Sequence, residues 1–170
     1  MNNKEPLHLD NTGTGKVGSI RVTTGLSIKN KMLEILKDTR DHYAADPDNR
    51  RSITEDGECM YTWGKAHCAV GRYLKPEYQC EDWEDNNRSV NDLCQNTDDG
   101  EWNIDWALRD EVHGLDANFW RNLQDFHDSK SAWITKDDYN KDDEPIGLSL
   151  IGKDDYRVIE RKINMGDYDG

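Results

Sequence analysis

The sequence predicts a mainly α fold of the α+β kind, a single-domain helical bundle carrying one small β-hairpin. Three observations predict it. Apolar residues recur at helical spacing over 28–43, they do so again over 116–128, and Asp56-Gly57 sits between two β-capable runs. At 170 residues the chain is long enough to bury a core without staples. Its hydrophobic share is only 34%, and the six Trp residues, each able to bury a large area, offset part of that shortfall.

Taken in order, residues 1–15 are polar and rich in Gly, Asn and Thr, a flexible lead-in to one acidic domain over 16–165. Ile20 and Val22 alternate within 17–23 and mark a short strand. Ile28, Met32, Ile35, Leu36 and Tyr43 form the stripe of the first helix, with Ser27 or Thr24 as its N-cap and Asp46-Pro47 as its stop. Asp56-Gly57 is a preferred pair for a two-residue turn, which places the hairpin near 50–63. A helix is expected over 65–74, with Ala66, Ala69, Val70, Tyr73 and Leu74 on one face and Pro76 ending it.

Residues 76–103 are acidic and irregular except for a short helix over 89–94, capped by Ser89 with Asp92 in its first turn. A helix over 105–112 closes at His113-Gly114, and Asp116 caps a stronger one that runs to 128. Phe119, Trp120, Leu123, Phe126 and His127 share a face of that helix. A charged loop over 136–144 follows, then a last helix capped by Asp154 with Tyr156, Ile159 and Ile163 inward, and a frayed tail over 166–170. Lys-Asp-Asp-Tyr occurs at 136 and at 153, too short a recurrence to be a structural repeat.

Charge is split unevenly. The first 75 residues hold 12 Lys and Arg against 10 Asp and Glu, whereas the rest hold 10 against 25, so the surplus behind the net −13 lies in the second part. Such a surface repels nucleic-acid backbone and anionic membrane and attracts a basic surface on a protein partner. Direct nucleic-acid binding is not expected. The first ten residues contain no apolar signal core and no stretch reaches transmembrane length, which points to a cytoplasmic protein with reduced thiols. In that setting the Asn87-Arg88-Ser89 sequon has no consequence.

Several constellations invite chemistry. Placed on a helix, Cys68 shares a face with Lys65 and Arg72 near the helix start, where a thiolate is favoured, and His127 or His113 would be its base. The bland alternative, a small buried thiol, is preferred. His127 and Asp128 are successive residues on one helix and diverge, so His127 is expected to bond a backbone carbonyl at the core edge. Cys59, His67, Cys68 and Cys80 lack the paired spacing of structural zinc sites, and the loop from Asp138 fails the calcium-loop pattern at Asp143 and Ser149, so neither a metal nor another cofactor is assigned. Thr12-Gly13-Thr14-Gly15-Lys16 lacks the leading Gly and the trailing Ser or Thr of a phosphate loop. Arg50, Arg51, Trp63, Lys65, His67 and Arg72 form the one group suited to a nucleotide ligand, with backbone N–H groups at a helix start for the phosphate and Trp63 for the base.

The run Gly57-Glu58-Cys59-Met60-Tyr61, followed by Cys68-Ala69-Val70-Gly71-Arg72-Tyr73-Leu74, Phe119-Trp120-x-x-Leu123-Gln124-x-x-His127-Asp128 and Gly147-Leu148-Ser149-x-x-Gly152-x-x-x-Tyr156, resembles a loose group of small uncharacterised bacteriophage and prophage proteins. In that group C-A-[VI]-G and L-Q-x-x-H-D occur in this order, and the likeness spans roughly residues 35–163. The resemblance implies no activity. It implies a phage-type origin and a role inside the host, countering host defence. Three functions follow as expectations: an acidic inhibitor that blocks or sequesters a basic host factor without catalysis, a protein that sequesters a nucleotide signal, and a Cys68-dependent hydrolase. The first is favoured because the acidic surplus is the largest departure from average composition.

Overall fold

A computed structural model describes residues 27–96, 102–138 and 145–168. The lead-in, the strand over 17–23, the Gly/Thr run at 12–16 and most of the 136–144 loop lie outside the described residues. Among those described, the fold is mainly α with three two-stranded antiparallel sheets.

Helix α1 (Ile28–Ala45) begins where Ser27 Oγ accepts the Asn30 N–H at 3.3 Å. It buries Met32, Ile35, Leu36 and Tyr43 as the stripe predicts, adds Thr39, and leaves Ile28 at the exposed edge. Asp46 ends α1 and caps the short α2 (Pro47–Arg50), whose first residue is a Pro that has no N–H to satisfy. The hairpin that follows is reduced to a single bridge, Ile53 opposite Cys59. Its loop has three residues rather than two. Gly57 N–H donates to Thr54 O at 2.9 Å, Thr54 N–H donates to Glu58 O at 2.8 Å, and Gly57 takes the left-handed φ of +85° that completes this turn.

The helix expected over 65–74 is absent. Strands β1 (Thr62–Trp63) and β2 (Ala66–His67) pair there around Gly64-Lys65, Gly64 at φ +60°, and a 3-10 turn covers Gly71–Tyr73. The cause is non-local: Gly71 lies so close to the Tyr61 carbonyl that any Cβ would overlap it. Ala69, Val70, Tyr73 and Leu74 are buried as their apolar character predicts, though not through helical periodicity.

Helix α3 (Val90–Leu93) is capped by Ser89 with Asp92 in its first turn as predicted, and Asp92 completes a capping box by accepting the Ser89 N–H at 3.3 Å. It leads into β3 (Gln95–Asn96), which pairs with β4 (Trp102–Asn103). The helix expected over 105–112 is instead a turn and a 3-10 segment, Asp110–Val112, because its backbone bonds the 73–75 segment. Leu108 bridges Leu74, Lys75 N–H donates to Ala107 O at 2.9 Å, and Arg109 N–H donates to Tyr73 O at 3.0 Å.

Helix α4 (Ala117–Asp128) is capped by Asp116 and buries Phe119, Trp120, Leu123, Phe126 and His127. Strands β5 (Trp133–Ile134) and β6 (Gly147–Leu148) then pair. Helix α5 (Leu150–Met165) starts a turn earlier than predicted. Ser149, not Asp154, is its cap, with Ser149 Oγ accepting Gly152 N–H at 3.0 Å and donating to Ser131 O at 2.6 Å. Ile159 and Ile163 are buried and Tyr156 is half-buried. Gly166 closes the helix at φ +78°, and of the tail expected to fray, residues 166–168 stay packed while 169–170 lie outside the described residues. Tyr168 is buried, stacks edge-on to Phe119 at 5.7 Å and accepts a hydrogen bond from Asn122 at 3.0 Å. Helices α1, α4 and α5 pack on one another around the core, and no described helix is long and apolar enough to cross a membrane.

Candidate functional site

The last turn of α4 and the 53–59 hairpin bring Cys59, Gln124, His127 and Asp128 together. Gln124, His127 and Asp128 stand at i, i+3 and i+4, the spacing that stacks side chains on one helical face. Gln124 Nε2 lies 2.8 Å from both Cys59 Sγ and Asp128 Oδ1, and its Oε1 accepts the Val70 N–H at 3.4 Å, which fixes the amide's orientation. His127 Nδ1 is 2.7 Å from Asp128 Oδ1 and 3.9 Å from Cys59 Sγ. The expectation that these successive residues diverge is therefore wrong, and the bond of the His127 ring is to a carboxylate rather than a backbone carbonyl. Arg51 holds the end of α4, donating to His127 O at 3.1 Å and Asp128 O at 3.2 Å, while Trp133 Nε1 donates to His127 O at 3.0 Å.

Electrostatics follow from this packing. The His127 ring is fully enclosed, edge-on to Tyr43 at 4.5 Å. Burial opposes its charge, but hydrogen bonds to Asp128 and Cys59 outweigh that and raise its pKa. Burial likewise works against the Asp128 carboxylate, and the bond to His127 lowers its pKa nonetheless. A hydrogen bond with Cys68 and burial push the Cys59 thiol well above its usual range. One His127 nitrogen thus faces both the thiol and the carboxylate, while Nε2 is buried without a partner. A nucleophile, base and orienting acid need the two ring nitrogens to serve different partners, so this is not a hydrolytic triad.

Above the cluster opens a cleft of about 320 Å³. Cys59, Gln124 and Asp128 line it together with Tyr61, Arg121, Asp125 and the 87–91 segment. Arg121 Nε donates to Asn91 Oδ1 at 3.0 Å and ties the two walls together. Beside the cleft, the acidic segment over 76–88 carries five carboxylates against one Arg, and it is clamped in place. Trp83 packs on Tyr78 at 5.1 Å, on Tyr61 at 5.6 Å and on Trp106 at 6.3 Å. Asn86 is buried, accepting Thr62 N–H at 2.8 Å and donating to Thr62 O at 2.9 Å. Glu81 accepts Gly64 N–H at 2.6 Å and Asp85 pairs with Arg88 at 2.8 Å, which leaves Glu77, Asp82 and Glu84 exposed and, among the described residues, without a cationic partner.

The other predicted residues do not assemble as expected. Cys68 follows β2 rather than lying in a helix; it is fully buried, and its sulfur accepts the Gly71 N–H at 3.2 Å. Lys65 sits in a hairpin turn, so no helix start offers N–H groups beside it. Trp63 is exposed on β1, and Arg51 is committed to the end of α4. Arg72 is buried, paired with Asp38 at 2.7 Å and stacked by Tyr43 and Tyr73. His67 shares a hydrogen with Thr62 Oγ1 at 3.0 Å, and Arg50 donates to His42 O at 3.0 Å. Arg50, His67 and Arg72 do act electrostatically on one group, His42. Burial, then Arg72 and Arg50, hold its pKa down at about 3.

Comparison with protein-family models, with curated proteins and with solved structures gives no match.

Proposed function

We propose that the chain is an acidic binding protein that occupies a cationic surface on a protein partner and blocks or sequesters it without catalysis. The observation that carries this reading is the clamped segment over 76–88. Glu77, Asp82 and Glu84 face solvent from a backbone fixed by the Trp83 stack and by buried Asn86, so the segment's charge is carried on a fixed backbone rather than on a loose loop. Preorganised charge attracts a partner without the cost of ordering a loop on binding. A role against a host factor, and the phage-type origin behind it, rest on the motif likeness given above and belong to this proposal.

The alternatives have less support. A hydrolase built on Cys68 has a nucleophile that solvent does not reach. A nucleotide site needs the Lys65 helix start, which is a hairpin turn in this fold. The test is binding of the purified chain to an immobilised Lys/Arg-rich peptide at rising ionic strength. Affinity falls steeply with salt if clustered charge drives the association, and a salt-independent affinity refutes the reading.

A further inference from the structure

The geometry points to a binding site for a thiophilic divalent cation of the zinc class, held by Cys59 Sγ, His127 Nδ1 and an Asp128 carboxylate oxygen at the floor of the cleft. These three ligand atoms lie within 4.8 Å of one another, although Cys59 is more than sixty residues from the other two in sequence. A thiolate, an imidazole and a carboxylate form the mixed donor set that suits zinc, with bonds of about 2.3 Å to sulfur and about 2.0–2.2 Å to nitrogen and oxygen. The 3.9 Å between Sγ and Nδ1 is short enough for one ion to bridge both atoms. The ion replaces two protons, that of the Cys59 thiol and the one shared by His127 and Asp128, and both pass to solvent.

The surroundings fit a bound ion as well as its ligands do. Gln124, fixed by Val70, directs its amide N–H groups at Cys59 and Asp128, the outer-shell donation that steadies charged ligands. Arg51 and Trp133 fix the backbone from which His127 and Asp128 project. Three protein ligands leave a fourth position open. Cys59, Gln124 and Asp128 line the cleft, so an exogenous group has a route to the ligand atoms, as in sites where a metal takes up such a group. The inference is independent of the acidic segment and of what it binds.

Cobalt titration of the reduced, chelator-treated chain tests the site. The expected result is a thiolate-to-cobalt charge-transfer band that saturates at a single ion per chain, together with the visible bands of tetrahedral Co²⁺. Cys59→Ser abolishes the charge-transfer band, whereas Asp128→Asn keeps it and binds the ion more weakly. No band in the unmutated chain, or an unchanged band in Cys59→Ser, overturns the proposal. If Cys59→Ser does not fold, alkylation of the unmutated chain with and without Zn²⁺ decides. Zinc slows modification of Cys59 relative to exposed Cys80 if the site exists, and equal rates overturn it.

Discussion

His127 Nδ1 and Asp128 Oδ1 are 2.7 Å apart although the two residues follow one another in the same helix. The bond is possible because Asp128 is the last residue of α4 and its side chain turns back toward the preceding ring. It is the main polar anchor of a fully buried imidazole. Asp128→Ala removes it and leaves a buried nitrogen unsatisfied, which costs about 1–3 kcal/mol of stability. Urea denaturation measures the loss, and Asp128→Asn, which can still accept the His127 N–H, loses less.

The 62–74 segment gives a prediction of opposite sign for its two possible conformations. If it were helical, Gly71→Ala would stabilise it by about 1 kcal/mol. In the observed fold the new Cβ strikes the Tyr61 carbonyl, and the variant loses at least about 2 kcal/mol. Gly64→Ala has open space but keeps a left-handed φ, so it costs only about 1–2 kcal/mol. Thermal melts of the two variants side by side check the order.

Helix α5 offers a similar contrast. Ser149→Ala removes its cap and costs about 1 kcal/mol, whereas Asp154→Ala, at a solvent-facing position inside the helix, stays within about 0.5 kcal/mol of the parent. A larger loss in Asp154→Ala than in Ser149→Ala would place the start of α5 at the later residue.

Acid weakens the fold through His42. Burial and the charges of Arg72, Arg50, His127 and His67 hold its pKa at about 3, against 6.5 ordinarily. Between those values the unfolded chain binds a proton that the folded chain refuses, so the contribution of His42 is complete above pH 6.5 and is lost as pH falls toward 3. His67, shifted the same way by burial and Arg72, adds to the slope. A His42→Asn variant shows a flatter decline in stability between pH 6.5 and pH 4 than the parent, measured by urea midpoints.

What the sequence disclosed follows the range of the forces involved. Ser27, Ser89 and Asp116 act on N–H groups two or three residues away, and all three caps are readable as local pattern. The stripes of α1 and α4 are readable for the same reason. The 65–74 segment misleads because its apolar residues fit a helical wheel, while the Tyr61 carbonyl, several residues upstream, decides its path. The end of α5 misleads because Tyr168 finds its partners on α4. For the Cys59 cluster half of the signal was present. Gln124, His127 and Asp128 have the spacing of one helical face, yet nothing in the chain near Cys59 announces that the hairpin delivers it there.

If the clamped acidic segment, rather than net charge, recognises a cationic partner, the position of its carboxylates matters more than their number. Two variants with the same change in net charge separate position from number: Glu77→Lys/Asp82→Lys/Glu84→Lys on the segment, and Asp137→Lys/Asp155→Lys/Asp167→Lys away from it in sequence. Calorimetric titration with one Lys/Arg-rich peptide gives the affinity of each. The first loses about tenfold or more in affinity and the second markedly less. Equal losses in the two variants would show that net charge alone, not the segment, sets the affinity.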